Sequence, residues 1–361
     1  MKEKIINYLL THADPSIVLR IKREILQNLS EKEETELLDQ IILQKNVQSV
    51  LQAQKADGWI GNYFHGMSGK YGAGMYDNME VGLRYLAEKG FLPKSDYLYK
   101  AVHSFLLESE ENKIARPHPK APVNDYELTA CGLYLMRSSV IIRAGYEQLF
   151  PQNDFIDLTF DINYSFKTFA NVLNFSSVDE VIDTHRKKAC FKPDTPWPCV
   201  YDLRILAHSK AWKSTESITL LAKSVSRLFT FPQSGVDIYT YNKGQYISPC
   251  HAFIHIPILG GSISDEFIGS HWFDMMELFA RCGVVKKVEA LKKEYLSLLE
   301  RLDEDIDLTT IFSKHKSENS WSPYDGIALE ENWRSKIKKQ CDLLFRALLI
   351  IYYTELGTSA D

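Results

Sequence analysis

The sequence predicts an all-α fold built from hairpins of an inner and an outer helix, and three observations predict it. An aromatic or thiol side chain stands directly before an acid at Tyr76-Asp77, Tyr126-Glu127, Tyr201-Asp202, Phe273-Asp274 and Cys341-Asp342, each time leading into an apolar helix-like run. A unit that recurs at wide spacing marks a helical repeat. The runs over 77–89 and 273–282 are apolar nearly all round, which implies burial on every side. Each stops at a glycine, Gly90 or Gly283, and a short turn then leads to an amphipathic partner. Such hairpins close into an (α/α) toroid or stack into an open HEAT-like solenoid. The all-round apolar inner helices favour the closed form.

The elements follow in order. Asp14-Pro15 opens a helix, with Asp as N-cap and Pro at the first helical position. A second helix is expected over 33–54, and the helices of 1–54 are expected to pack on the barrel. Residues 57–76 are rich in glycine and aromatics and read as a loop. Residues 150–198 hold Pro, Asn, Asp and short apolar runs, and their helices are placed only loosely. After Gly283, Val288, Leu291, Tyr295, Leu298, Leu299 and Leu302 fall on one helical face. The long irregular segments 230–271 and 302–332 join 57–76 as lid candidates. The whole chain, 1–361, is expected to form one domain.

Composition excludes several classes. With 361 residues, 45% of them hydrophobic, the chain has ample material for a core. The net charge is −5 and no dense Lys/Arg block occurs, so a nucleic-acid partner is not expected. No run of 18 apolar residues exists, which argues against a membrane span. The N-terminal apolar run is too short for a signal peptide, and the six cysteines form no CxxC. Reduced thiols and a cytoplasmic location are the expectation. No P-loop or GxGxxG occurs, so no cofactor is expected.

The stretch SVLQAQKADGW over 49–59 resembles the QW repeat of squalene cyclases and protein prenyltransferases through Gln54, Asp57, Gly58 and Trp59. That family usually has one more residue between Gly and Trp. ADPSIVLRIKREIL, MEVGLRYLAEKGFLPKSDYLYKAVHSFL and HWFDMMELFARCGVV look like a bacterial group of prenyltransferase/squalene-cyclase-like proteins. The resemblance implies an (α/α) toroid of about six hairpins, and transfers no reaction. The DxDD acid motif has only Asp303-Glu304-Asp305-Ile306-Asp307 as a counterpart, and DDxxD is absent. Asp194 and Cys199 are not spaced like the zinc-binding Asp and Cys of prenyltransferases.

The acids Asp77, Glu127, Asp202, Asp274 and Asp342 form the first candidate constellation. Acids in a first turn stabilise a helix by complementing its dipole. Gathered at one mouth of a toroid, they would repel one another and raise a pKa, making a general acid. Asp202 and Asp274 are the catalytic candidates, each following an aromatic cluster. The candidate ligand-binding aromatics are Trp59, Tyr63, Tyr76, Tyr126, Trp197, Tyr201 and Trp272, with Asp77 and Glu127 beside them. Aromatics at such positions either pack a core, line an apolar pocket or stack on sugars. His65 joins Asn62 and Tyr63 in the glycine-rich loop, a set of residue types also found in polysaccharide lyases on α/α toroids. His251 and His255 are expected to share one face of an extended segment, near His271, with Cys250 adjacent; the spacing matches no zinc motif, and no metal is assigned.

Three functions are therefore open. The first is a terpenoid-cyclase-like protein holding a small apolar, isoprenoid-type molecule, with acid catalysis. The second is a carbohydrate-active enzyme using two carboxylates on a glycan. The third is a non-catalytic helical scaffold.

Overall fold

The computed structural model describes residues 1–65, 76–106, 133–148, 156–193, 195–233, 235–242, 245–249, 251–265, 268–312 and 326–357. The chain divides into two compact units. The first comprises Met1–Val123, Gly261–Glu277 and Leu296–Tyr352; the second comprises Asn124–Gly260, Leu278–Tyr295 and Tyr353–Asp361.

In the first unit, α1 (Lys2–His12) and α2 (Pro15–Arg20) are followed by a π-turn over Ile21–Leu26. Asp14 does stand at the N-cap of α2, but its side chain makes no capping bond. Its carboxylate instead accepts from Glu331 N–H at 2.9 Å and from Lys338 Nζ at 2.6 Å. The single helix expected over 33–54 is two, α3 (Glu31–Ile42) and α4 (Lys45–Ala53). Ser30 caps α3 by accepting from Glu33 N–H. Then come α5 (Met79–Glu88) and α6 (Asp96–His103).

All residues of α5 are buried, yet the helix is not apolar all round: Glu80, Arg84 and Glu88 stand at i, i+4 and i+8. Gly90 ends it at φ +100°, with Phe91 N–H donating to Leu86 O at 3.2 Å, as a left-handed C-terminal cap requires. Its half-exposed partner α6 buries only Leu98, Ala101 and Val102.

The QW-like segment is a tight turn in the same unit. Gln54 Nε2 donates to Gly58 O at 3.1 Å and to Tyr97 O at 2.9 Å, and Trp59 N–H donates to Asp57 Oδ1 at 3.0 Å. Gly58 has φ +92°, and a Cβ there would lie 2.1 Å from Lys100 O, so only glycine lets this turn dock on α6.

In the second unit, α7 (Leu133–Arg143) and α9 (Val200–His208) are buried over most of their length. The helices α8 (Leu158–Asn171) and α10 (Thr215–Leu228) keep one exposed face. Three further helices, α11 (Ser270–Arg281), α12 (Glu289–Glu304) and α13 (Lys336–Leu356), contribute residues to both units. On α12 and just before it, Val288, Leu291, Tyr295, Leu298 and Leu302 are buried and Leu299 is half-buried.

The chain is mostly helical but not all-α. A four-stranded sheet of order β1-β2-β3-β4 joins β1 (Ile182–His185), β2 (Lys188–Phe191), β3 (Ile238–Asn242) and β4 (Gln245–Ile247). The β1–β2 and β3–β4 pairs are antiparallel hairpins and β2–β3 is parallel. β-branched and aromatic residues in Ile238-Tyr239-Thr240-Tyr241 and Tyr246-Ile247 suit a pleated, half-buried surface. Part of the lid candidate 230–271 is therefore regular structure. Among the described residues, no helix is long and apolar enough to cross a membrane.

Candidate functional site

Asp202 lies in the first turn of α9, as its position after Tyr201 predicts. Cys199 is the N-cap, and the two residues form a reciprocal capping box: Asp202 Oδ2 accepts from Cys199 N–H at 2.9 Å, and the Cys199 side chain accepts from Asp202 N–H. The carboxylate's other oxygen, Oδ1, is buried and makes no hydrogen bond of good geometry, while the Ser165 hydroxyl lies near enough to the carboxylate to draw its pKa down. Asp202 is 1% exposed. Burial pushes its pKa up to about 6, against the pull of Cys199 and Ser165 and with a further push from the charge of Asp161.

Asp161 stands on α8 one turn before Ser165, again buried. Ser138 Oγ donates to its Oδ2 at 2.5 Å, and Arg137 Nη2 lies 3.9 Å from the same oxygen. Burial raises its pKa, while Ser138 and Arg137 hold it down and Asp157 adds to the rise. Asp161 thus acts on Asp202 from a different setting: Asp161 has a cation and a hydroxyl against it, whereas Asp202 has a helix cap and the Ser165 hydroxyl.

The solvent side of the same helix carries Phe160 and Tyr164, 61% and 40% exposed, stacked at 6.2 Å between ring centroids. Burial and then the charge of Asp202 raise the Tyr164 pKa, which places the exposed phenol within electrical reach of the buried acid. Sequence reading missed Asp161, Ser165, Tyr164 and Phe160, although Asp161, Ser165 and Thr168 form a polar stripe at helical spacing in FDINYSFKTFAN.

The five acids do not share one structural position. Asp77 precedes α5, whose N-cap is Asn78, accepting from Val81 N–H at 2.9 Å. Because α11 begins at Ser270 and α13 at Lys336, Asp274 and Asp342 lie beyond the first turn. Asp274 is 3.3 Å from Arg84 Nη2. Asp342 is a backbone anchor, accepting from Leu329 N–H, Glu330 N–H and Trp333 Nε1. Glu127 and Tyr126 lie outside the described residues.

The candidate tryptophans Trp59, Trp197 and Trp272 are packed inside their units. Trp59 meets Phe105 edge-on at 5.6 Å, Trp197 meets Phe231 at 5.0 Å and donates through Nε1 to Phe253 O, and Trp272 meets Phe273 at 5.1 Å. Tyr76 stacks on Tyr85 at 4.1 Å, and Tyr201 is 1% exposed. Tyr63 is 41% exposed, and His65 Nδ1 lies 2.5 Å from Glu80 Oε2, which raises the His65 pKa although burial opposes it most. Met79 N–H and Glu80 N–H donate to Tyr63 O and Phe64 O, so the loop backbone itself caps α5.

His251 does not lie in an extended strand; its φ is +55°, the left-handed region, which breaks the two-residue alternation that would align it with His255. His255 Nδ1 is 3.2 Å from Val236 O, and His271 is half-buried at the start of α11. Cys250 is outside the described residues. Among the described residues, no group of three or more His, Cys, Asp and Glu side chains is arranged to hold a metal ion.

The first unit holds a second charged cluster. Arg346 Nη1 lies 2.8 Å from Glu277 and 3.2 Å from Glu88, and Arg20 lies 3.0 Å from Glu88 and 2.6 Å from Glu24. Each acid of this cluster lies against an arginine, which suits a structural role better than proton transfer.

Comparison with known proteins finds no matching family model, curated protein or solved structure.

Proposed function

We propose that the chain is a carbohydrate-active enzyme in which Asp202 is the general acid and Asp161 the companion carboxylate. The observation that carries this reading is the pair itself: a buried carboxyl held by a helix cap, within electrical reach of a second buried carboxyl that has Ser138 and Arg137 against it. Environments that push two carboxyls apart assign acid and base roles in glycoside hydrolysis. Asp202, with its pKa near 6, keeps a proton available for the oxygen of a leaving group. Burial raises the Asp161 pKa as well, and Arg137 and Ser138 offset part of that rise; in its ionised form Asp161 can activate water or attack the sugar carbon. The exposed Phe160–Tyr164 stack offers CH-rich sugar faces an aromatic surface. The proposal takes the alternating buried and half-exposed helices as hairpins of an (α/α) toroid.

A second reading, an isoprenoid-type ligand in a terpenoid-cyclase-like protein, is favoured by the Gln54–Trp59 turn. Its chemistry fits less well. Protonating an alkene needs a strong acid, and burial makes Asp202 a weaker one. The test is release of reducing ends or unsaturated products from a panel of polysaccharides and aryl glycosides. The expected result is turnover that falls as pH rises through about 6, and a loss of roughly 100-fold or more in Asp202→Asn and Asp161→Asn. Full turnover in either variant removes that residue from the mechanism. Turnover of an allylic diphosphate or a linear triterpene, with none on glycans, would replace this reading by the second.

A further inference from the structure

The small sheet of the second unit presents a face that the proposed reaction does not use. Strand register sets His185 opposite Lys188, Cys190 opposite Tyr239, and Tyr241 opposite Tyr246. Alternation along each strand therefore puts Lys188, Tyr239, Tyr241 and Tyr246 on one face, while Ile238 points the other way and is fully buried. The three tyrosines are half-exposed and Lys188 is exposed. Lys188 Nζ sits 4.6 Å from the Tyr239 ring centre and 4.5 Å from that of Tyr246, and the His185 ring lies tilted against Tyr241 at 3.7 Å between centroids.

The hairpin tip beside this face is unusual. Its two turn residues are Arg186 and Lys187, at φ +45° and +69°. Two-residue hairpin turns of this kind favour Asn-Gly, because side chains with a Cβ are strained in the left-handed region. Here the strained positions carry two exposed cations, followed by a third at Lys188. Among the described residues, none of the three makes an ion pair, in a chain whose net charge is −5. The acid on the same face is Asp183, whose carboxylate accepts from Thr184 N–H.

We propose that this face binds an acidic polysaccharide, with the tyrosines contacting sugar rings and Arg186, Lys187 and Lys188 meeting uronate carboxylates. The proposal rests on the carbohydrate reading above and names its substrate class as uronate-containing. Ring faces alone would serve neutral glycans; the Arg186 and Lys187 charges beside them, and the Lys188 ammonium over the Tyr239 and Tyr246 rings, select anionic ones.

The test is binding of polygalacturonate, its fully methyl-esterified form and a single-stranded oligothymidylate to the full chain, by isothermal titration calorimetry. The Asp202→Asn protein is used so that cleavage does not deplete the polymer. Expected are saturable binding of polygalacturonate that weakens with added salt, and much weaker binding of the neutral ester. A triple variant, R186Q/K187Q/K188Q, should bind about tenfold more weakly, as expected for three exposed charge contacts. Tyr246→Ala should also weaken binding while the circular dichroism spectrum is unchanged. Equal binding of ester and acid, no effect of the triple variant, preference for the oligonucleotide, or no binding of polygalacturonate would each overturn the proposal. Binding with the expected losses, but no cleavage by the wild-type chain, would uphold this surface and refute the catalytic reading alone.

Discussion

Replacing Asp202 by asparagine should stabilise the protein at neutral pH. Asp202 is fully buried, and its pKa moves from 3.8 to about 6 on folding. Each tenfold change in proton affinity is about 1.36 kcal/mol, so the ionised carboxylate costs the fold about 3 kcal/mol. The sign follows from which state holds the proton. Below 3.8 the group is protonated folded and unfolded, and contributes nothing. Between 3.8 and 6 the unfolded chain ionises first, so the penalty grows with pH; above about 6 it is complete. Asparagine never ionises but keeps an oxygen for the Cys199 N–H, giving up about 1 kcal/mol of charge-assisted bonding. The net expectation is a gain of about 1–2 kcal/mol at pH 7.5 and a small loss at pH 4. Urea unfolding of both proteins at the two pH values measures it. A variant less stable than wild type at both pH values, by the same amount, would refute the reasoning. It would mean that Asp202 is ionised and well satisfied by its cap.

Arg346→Met removes the cation between Glu88 and Glu277, while Glu88 keeps its contact with Arg20. It should cost about 3–5 kcal/mol in urea unfolding, and a cost under 1 kcal/mol would refute the claim that Arg346 is needed to hold these acids in the fold. Gly58→Ala forces a Cβ to within 2.1 Å of Lys100 O at φ +92°, so a loss of ~2 kcal/mol or more is expected. Full stability in that variant would mean that the Gln54–Trp59 turn does not dock on α6. Glu330 has its pKa raised to about 9 by burial first and then by Asp342 and Asp14. It stays protonated in the fold while the unfolded chain ionises from 4.5 upward, so wild-type stability should fall steadily towards pH 9. Glu330→Gln should flatten that slope, and an unchanged slope counts against the raised pKa.

The parts of the molecule legible in sequence were those set by local chemistry. Gly90 and Gly283 end helices in left-handed conformations, at φ +100° and +74°. Asp202 stands in a first turn because an aromatic-acid pair marked it. The same pair failed at Asp274 and Asp342, where the helix begins earlier than the apolar run suggests and the acid serves tertiary contacts instead. Buried charge is hidden in the run over 77–89, whose apolar residues dominate although Glu80, Arg84 and Glu88 share one stripe of the helix. The sheet was missed because its strands are short and far apart in sequence, so pairing between 188–191 and 238–242 depends on long-range packing. Asp161 was passed over for a related reason. A polar stripe within a half-exposed helix gains meaning only when α7 and α9 supply Ser138 and Asp202 against it.

The most direct test of the central claim is a carboxyl-carbon NMR titration of the protein labelled at aspartate Cγ, with Asp202→Asn and Asp161→Asn to assign the signals. The account predicts an Asp202 midpoint near 6. It also predicts that the midpoint falls when Asp161 is replaced, because the charge of Asp161 helps to raise it. An Asp202 midpoint below 4, indifferent to Asp161, would contradict the claim that the two carboxyls work as an acid–base pair.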